Sequence, residues 1–199
     1  MNDHYRTIAA SCEHRLKVER SDFLGIAFPA TTDEEFFAEL ARIEKRFFDA
    51  THHCWAFRLF ASGDVRARSS DAGEPSGTAG KPILGAIESA GLHDLGLVVV
   101  RWFGGVKLGT GGLSRAYRST AIETLKAART EERFIYDTFR VVVPFAMLGS
   151  AYRLADPPAV VLDGEEFGEV NIFTFRVRTS LAEAFRKDLA AKRLEVLEG

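Results

Sequence analysis

Cysteine is scarce in this chain: Cys12 and Cys54 are the only two among 199 residues. Two thiols cannot build the disulfide framework of a small secreted domain, and they read as reduced cysteines. Long apolar runs are absent, none approaching the roughly 20 residues that a membrane span needs. The start, Met1-Asn-Asp-His4, is polar and opens no signal peptide, so a cytoplasmic protein is expected. Neither sign of charge dominates: 26 Lys and Arg against 28 Asp and Glu leave a net charge of −2. That balance argues against a protein that coats nucleic acid over its whole surface. Internal repeats and low-complexity tracts are also missing.

The composition that remains, 46% hydrophobic and 27% charged, is that of an ordinary globular protein. The length suits one large domain or two small ones. Charge is unevenly placed. Between Val99 and Arg129 there are six basic residues and one acid, Glu123, a local charge of +5. A polyanion should meet the chain there.

The apolar pattern predicts strands at residues 5–10, 13–19 and 23–29. Thr32 with Glu35 forms a capping box before Phe36, Phe37, Leu40, Ile43 and Phe47 at helical spacing. Residues 53–60 form the next strand. A polar loop runs from Arg68 to Pro82, which suits a helix's first turn, with Gly91 at its end. A buried strand covers residues 96–103. A helix then runs from Leu113 to Ala128 with Leu113, Ala116, Tyr117, Ala121 and Leu125 on one face. A charged connector at 130–138 supplies the boundary, giving expected domains of 1–136 and 137–199. Beyond it the pattern reads βαββαβ: strands at 139–145, 159–162, 170–177 and 194–197, with helices at 146–154 and after a second capping box, Ser180 with Glu183. That order is the split-βαβ, ferredoxin-like arrangement of an α+β protein. Phe173, Phe175 and Val177 share one face of their strand, and Thr174, Arg176 and Arg178 the other.

The most informative stretch is Arg101-Trp-Phe-Gly-Gly-Val-Lys-Leu-Gly-Thr-Gly-Gly-Leu-Ser-Arg115, a strand that runs through five glycines into a helix. This order lets backbone N–H groups cradle an anion. Nucleotide fingerprints fit poorly. Gly104 and Gly109 have P-loop spacing, but Thr110 stands where the lysine belongs. Gly80-Lys81 offers the lysine, yet Pro75 and Pro82 replace the glycine and the Ser/Thr. Gly109 and Gly111 begin a Rossmann turn that Ser114 breaks. An anion site needs fewer parts. Its candidates are Arg101, Gly104, Gly105, Lys107, Gly109, Thr110, Gly111, Gly112, Ser114, Arg115 and Arg118, with Arg101 set apart by its apolar strand. A second loop adds Asp71, Glu74, Ser76 and Lys81. There Asp71 or Glu74 could hold magnesium, although such carboxylates more often cap helices or pair with an arginine. Ser76 lies outside any nucleophile elbow.

His52-His53-Cys54 is not expected to be a metal site, because strand neighbours point apart and no distant pair completes a tetrahedral set. Cys54 reads as a small buried residue. Trp55, Trp102 and Phe103 could stack bases but are commonly core. No catalytic residue, metal or cofactor is expected.

Three blocks carry a resemblance: His52-His-Cys-Trp-Ala-Phe57, Asp71-Ala-Gly-Glu-Pro-Ser-Gly-Thr-Ala-Gly-Lys-Pro82 and the stretch from Arg101 to Tyr117. In order and spacing they resemble the signature blocks of the Impact family, over roughly residues 15–130. The tail from about Asp137 is similar to the ferredoxin-like domain of bacterial members and to the C-terminal domain of elongation factor G. The resemblance implies a first domain like the second domain of ribosomal protein S5, a mixed sheet with helices on one face. It implies a role in regulation of translation or a stress response, through binding RNA or the ribosome. Eukaryotic members act on translation through an extra N-terminal domain that this chain lacks, and that partner is not carried over. The expected protein is non-catalytic, a monomer or weak homodimer, with RNA, the ribosome or a protein of the translation machinery as its partner. Two rival readings are a phosphate- or nucleotide-binding enzyme like the small-molecule kinases of the S5 fold, and a protein-binding regulator that uses its C-terminal sheet.

Overall fold

A computed structural model describes residues 3–61 and 64–197. The chain divides into two compact units, Arg6–Glu132 and a second that joins Met1–Tyr5 to Arg133–Gly199. Each has its own apolar core. Strands β1 (His4–Ile8) and β7 (Thr130–Phe134) pair with one another. The expected connector at 130–138 is thus largely strand.

In the Arg6–Glu132 unit, strands β2 (Cys12–Val18), β3 (Ser21–Pro29), β4 (His52–Ala61), β5 (Asp64–Ser70) and β6 (Leu95–Trp102) form one sheet in the order β2-β3-β6-β4-β5. Every neighbouring pair is antiparallel. Side chains alternate across the sheet. One face carries Phe23, Ala27, Ala56, Leu97 and Val99 beneath helices α2 (Gly80–Ala90) and α3 (Gly109–Ala127). The opposite face carries Leu24, Ile26, Phe28, Phe57, Val98 and Val100 beneath helix α1 (Asp33–Arg46). The α+β class holds. In detail the sheet is antiparallel rather than mixed, and helices cover both faces rather than one. The reason lies in β3 and β6: Phe23–Phe28 and Leu97–Val100 are apolar on both faces, and each face needs a cover.

Helix α1 starts where its cap predicts. Thr32 Oγ1 accepts from the Glu35 N–H at 3.2 Å. The returning Glu35 carboxylate lands one residue early, on the N–H and hydroxyl of Thr31, at 2.7 and 2.9 Å. Helix α2 places Pro82 in its first turn and ends at Gly91 in the left-handed conformation. Helix α3 begins at Gly109, a turn before the expected Leu113, so Gly109, Gly111 and Gly112 sit inside the helix, while Gly104 and Gly105 stay in the loop before it. Strand β5 joins residues 64–67, to which the sequence assigns no element, to residues 68–70 at the start of the expected loop. It is an exposed edge whose Arg66 and Arg68 meet Asp33 at 3.0 and 3.2 Å, and so it shows no apolar alternation.

In the second unit, β8 (Tyr136–Val142), α4 (Leu148–Tyr152), β9 (Val160–Glu166), β10 (Ile172–Arg178), α5 (Ala182–Ala191) and β11 (Glu195–Leu197) follow the βαββαβ order. The strands lie β11-β8-β10-β9, all antiparallel, which is the ferredoxin-like topology. Phe139, Phe173, Phe175 and Val177 pack on Phe185 and Leu189 of α5. The opposite face is charged and paired: Arg140 reaches Glu166 at 3.0 Å and Arg176 reaches Asp163 at 2.9 Å. Arg178 holds both oxygens of Asp3, at 2.7 and 2.9 Å. Ser180 does not cap α5. Its hydroxyl donates to Asp3, and α5 starts at Ala182 with no side-chain cap. A 3₁₀ turn at Thr179–Leu181 leads into α5 and puts Leu181, not Ser180, at the cap position.

The Arg178 guanidinium, then Ser180, hold the Asp3 carboxyl well below the usual carboxylate range. A carboxyl depressed on folding stabilises above its unfolded pKa, and that stabilisation is lost as pH falls toward the folded value. Asp3→Asn should therefore melt below the parent at neutral pH. In calorimetric scans the two midpoints should converge as pH drops below about 4.

Candidate functional site

The site begins with the loop between β5 and α2. Asp71 accepts backbone N–H bonds from Gly77 at 2.8 Å and from Ala79 and Gly80, each at 2.9 Å. Burial alone raises its carboxyl, but those bonds and the charge of Lys81 outweigh it, and the net shift is downward. Asp71 thus closes the loop and caps α2, a structural role. The folded loop turns Glu74 inward.

Glu74 meets Arg101 of β6, with the arginine Nη1 at 2.6 Å from Oε1. Their side chains are 6% and 3% exposed. The Tyr117 hydroxyl of α3 donates to the same oxygen at 2.8 Å. Arg101 Nη2 donates to Ser21 Oγ of β3 at 3.2 Å, and the Gly104 N–H reaches that hydroxyl at 3.3 Å. Beside them, Cys54 Sγ lies 2.9 Å from the Asp71 carbonyl and 3.3 Å from the Tyr117 hydroxyl. Burial, reinforced by the charges of Glu74 and Asp71, pushes the Cys54 thiol up to about 12. Burial and the neighbouring Cys54 and Glu74 push the Tyr117 phenol up as well. Both groups stay protonated near neutral pH, which suits packing rather than nucleophilic attack.

Above this network opens a cleft of about 450 Å³. Thr51, His52, Glu74, Pro75 and Arg101 line it together with Phe103, Lys107 and, at the start of α3, Leu108, Gly109, Thr110 and Leu113. The His52 Nδ1–H donates to the Ala72 carbonyl at 2.9 Å, and its Nε2 stands 3.9 Å from Glu74 Oε1. Gly109 enters α3 at φ +69°, a conformation that favours glycine. No side chain among the described residues caps α3, and its first turn holds no acid. The N–H groups of that turn carry the positive end of the helix dipole.

The structure sorts the sequence candidates. Lys107, Gly109 and Thr110 come to the cleft with Glu74 and Arg101. Arg101 belongs to the buried pair rather than to an exposed anion contact. Gly111 and Gly112 lie in the first turn of α3. Arg115 is exposed and curls back toward Gly111, and Arg118 reaches Ser89 of α2 at 3.4 Å. These two arginines lie outside the cleft lining, as do Ser114, Asp71, Ser76 and Lys81. Gly104 and Gly105 shape the connecting loop. A Cβ at Gly104 would fall 1.7 Å from the Arg20 carbonyl oxygen. Trp55 packs on Phe36, Phe37 and Phe57, and the Trp102 indole N–H donates to Asp49 at 3.1 Å. Phe103 is 45% exposed.

Sequence reading missed the roles of His52 and Tyr117. Tyr117 carried a signal, since a tyrosine on a buried stripe needs a partner for its hydroxyl. The pairing of Glu74 with Arg101 carried none, because they lie on separate elements.

Two substitutions probe this framework by chemical denaturation. Arg101→Met strands the Glu74 charge and should cost about 3–5 kcal/mol. Gly104→Ala should cost about 1–3 kcal/mol through overpacking against Arg20.

The Impact N-terminal domain family model matches residues 19–125. An IMPACT family member of Thermus thermophilus is 44% identical over 69% of this chain and 73% of its own length. The family member YvyE of Bacillus subtilis is 35% identical, over 73% of this chain and 66% of its own. A crystal structure of a hypothetical protein, 24% identical, matches all of this chain and 98% of that one with a TM-score of 0.75, and supports the fold.

Proposed function

The chain belongs to the Impact family, and we propose that it binds RNA, free or in the ribosome, as a non-catalytic cytoplasmic regulator of translation. One observation carries the reading. The uncapped, acid-free first turn of α3 opens on the cleft beside Lys107, within a segment of charge +5. A helix N-terminus with a lysine at its mouth suits a phosphate group. Arg115 and Arg118, exposed one and two turns further along α3, extend the positive surface beyond the cleft. Further phosphates of the same strand would meet them. Membership of the Impact family, a resemblance that implies a role in translation, supports translation as the setting. Among the described residues no helix is long and apolar enough to cross a membrane.

The test is a triple charge reversal, Lys107→Glu with Arg115→Glu and Arg118→Glu, measured against structured RNA over a salt series. Affinity should fall at least about tenfold, and the slope of log K against log salt should flatten by about 2. All three residues are exposed, so the denaturation midpoint should hold. An unchanged affinity and slope would overturn the site.

A further inference from the structure

We propose that the cleft holds the 3′-terminal nucleotide of an RNA, with its ribose diol on Glu74 and His52 and its 5′-phosphate at the start of α3. This deepens the RNA-binding reading and rests on it.

Two acceptors stand side by side in the lining. His52 gives its Nδ1–H to the Ala72 carbonyl, so the neutral ring presents Nε2 as an acceptor. Glu74 lies beside it, with Oε1 already taken by Arg101 and Tyr117. Its other oxygen, Oε2, accepts from no described residue, although Glu74 lines the cleft. Two neighbouring acceptors call for two donors on the ligand. The same part of the lining also holds a donor that lacks a match: Arg101 Nε is buried without a partner. A buried donor left in that state is costly, and it marks this part of the lining as one where an acceptor is favoured. Hydroxyl groups both donate and accept, so a vicinal diol suits two acceptors beside a guanidinium where an amine or a carbonyl suits only part of the set.

The start of α3 has the reverse preference. Lys107 and the N–H groups from Gly109 onward attract an anion, which the Glu74 carboxylate would repel. The ligand therefore carries hydroxyls at one end and negative charge at the other. Phe103 offers an exposed ring, with Leu108 beside it, to a flat apolar group. A volume of about 450 Å³ is that of a small-molecule pocket and admits one nucleotide. A ribose inside a strand has its 3′-oxygen esterified and offers one hydroxyl. Only a terminal ribose presents the diol, and a terminal 3′-phosphate would set its charge against Glu74.

The test compares one short RNA, labelled at its 5′ end, finished as the 3′-diol, as a 3′-phosphate or with a 2′-deoxy terminal residue. Anisotropy at one salt concentration should show the diol binding about tenfold tighter than either variant. His52→Ala and Phe103→Ala should each erase most of that preference. Phe103 is exposed, so its variant keeps the test independent of folding. Equal binding of the three ends overturns the proposal and leaves RNA binding standing. No binding of any RNA overturns both. Adenosine 5′-monophosphate competing as strongly as the RNA would assign the same chemistry to a free nucleotide and overturn the RNA end.

Discussion

The buried pair of Arg101 and Glu74 is the constraint on which the site depends. Glu74 comes from the loop before α2, Arg101 from β6, Tyr117 from α3 and Ser21 from β3, and all four meet within hydrogen-bond distance. A buried ion pair is poor evidence of stability, since desolvation offsets most of the attraction. Its value is positional. With Glu74 tied to Arg101 and Tyr117, the loop has one resting place against α3. The space left between loop and helix is the cleft.

The same pair separates two kinds of charge in this protein. Arg101 and Asp71 have their partners inside the fold, and so do Asp33, Asp3 and Arg178. They close loops, cap a helix or pin an edge. Lys107, Arg115 and Arg118 are exposed with no carboxylate partner among the described residues, and their charge is available to a ligand. A net charge of −2 hides this division, because internal pairs cancel in the sum without cancelling at the surface. The charged face of the second unit is of the first kind, its arginines matched to Glu166, Asp163 and Asp3.

Much of the fold was legible in the sequence where one face of an element is apolar and its ends are marked. Helix α1 carries Phe36, Leu40 and Ile43 on one stripe behind a threonine cap, and it forms as expected. Strand β10 alternates Phe173, Phe175 and Val177 with polar residues, and those three are its buried side chains. Reading failed where a local signal met a stronger distant one. Strand β5 has no apolar rhythm because its outward residues are arginines held by Asp33 of α1. Ser180 has a cap's spacing, yet its hydroxyl goes to Asp3, far away in sequence. Gly109, Gly111 and Gly112 look like a loop, but α3, packed on α2 and the sheet from Leu113 onward, already runs through them.

Period and punctuation by themselves determined the βαββαβ plan of the second unit, the elements of the first apart from β5 and β7, and the place where positive charge collects. They also located the two glycine-bearing loops and the strand that leads into α3. Tertiary structure alone decided that the sheet is antiparallel and covered on both faces, since local pattern marks a strand as buried without saying what buries it. It alone decided which candidates share a site. Lys107 and Glu74 come to one cleft, whereas Asp71 closes its own loop and Arg118 stands on α3 outside the cleft lining. The physical reason is that a hydrogen bond or ion pair is fixed by distance in space, and the Arg101–Glu74 contact joins elements whose separation along the chain carries no trace of it.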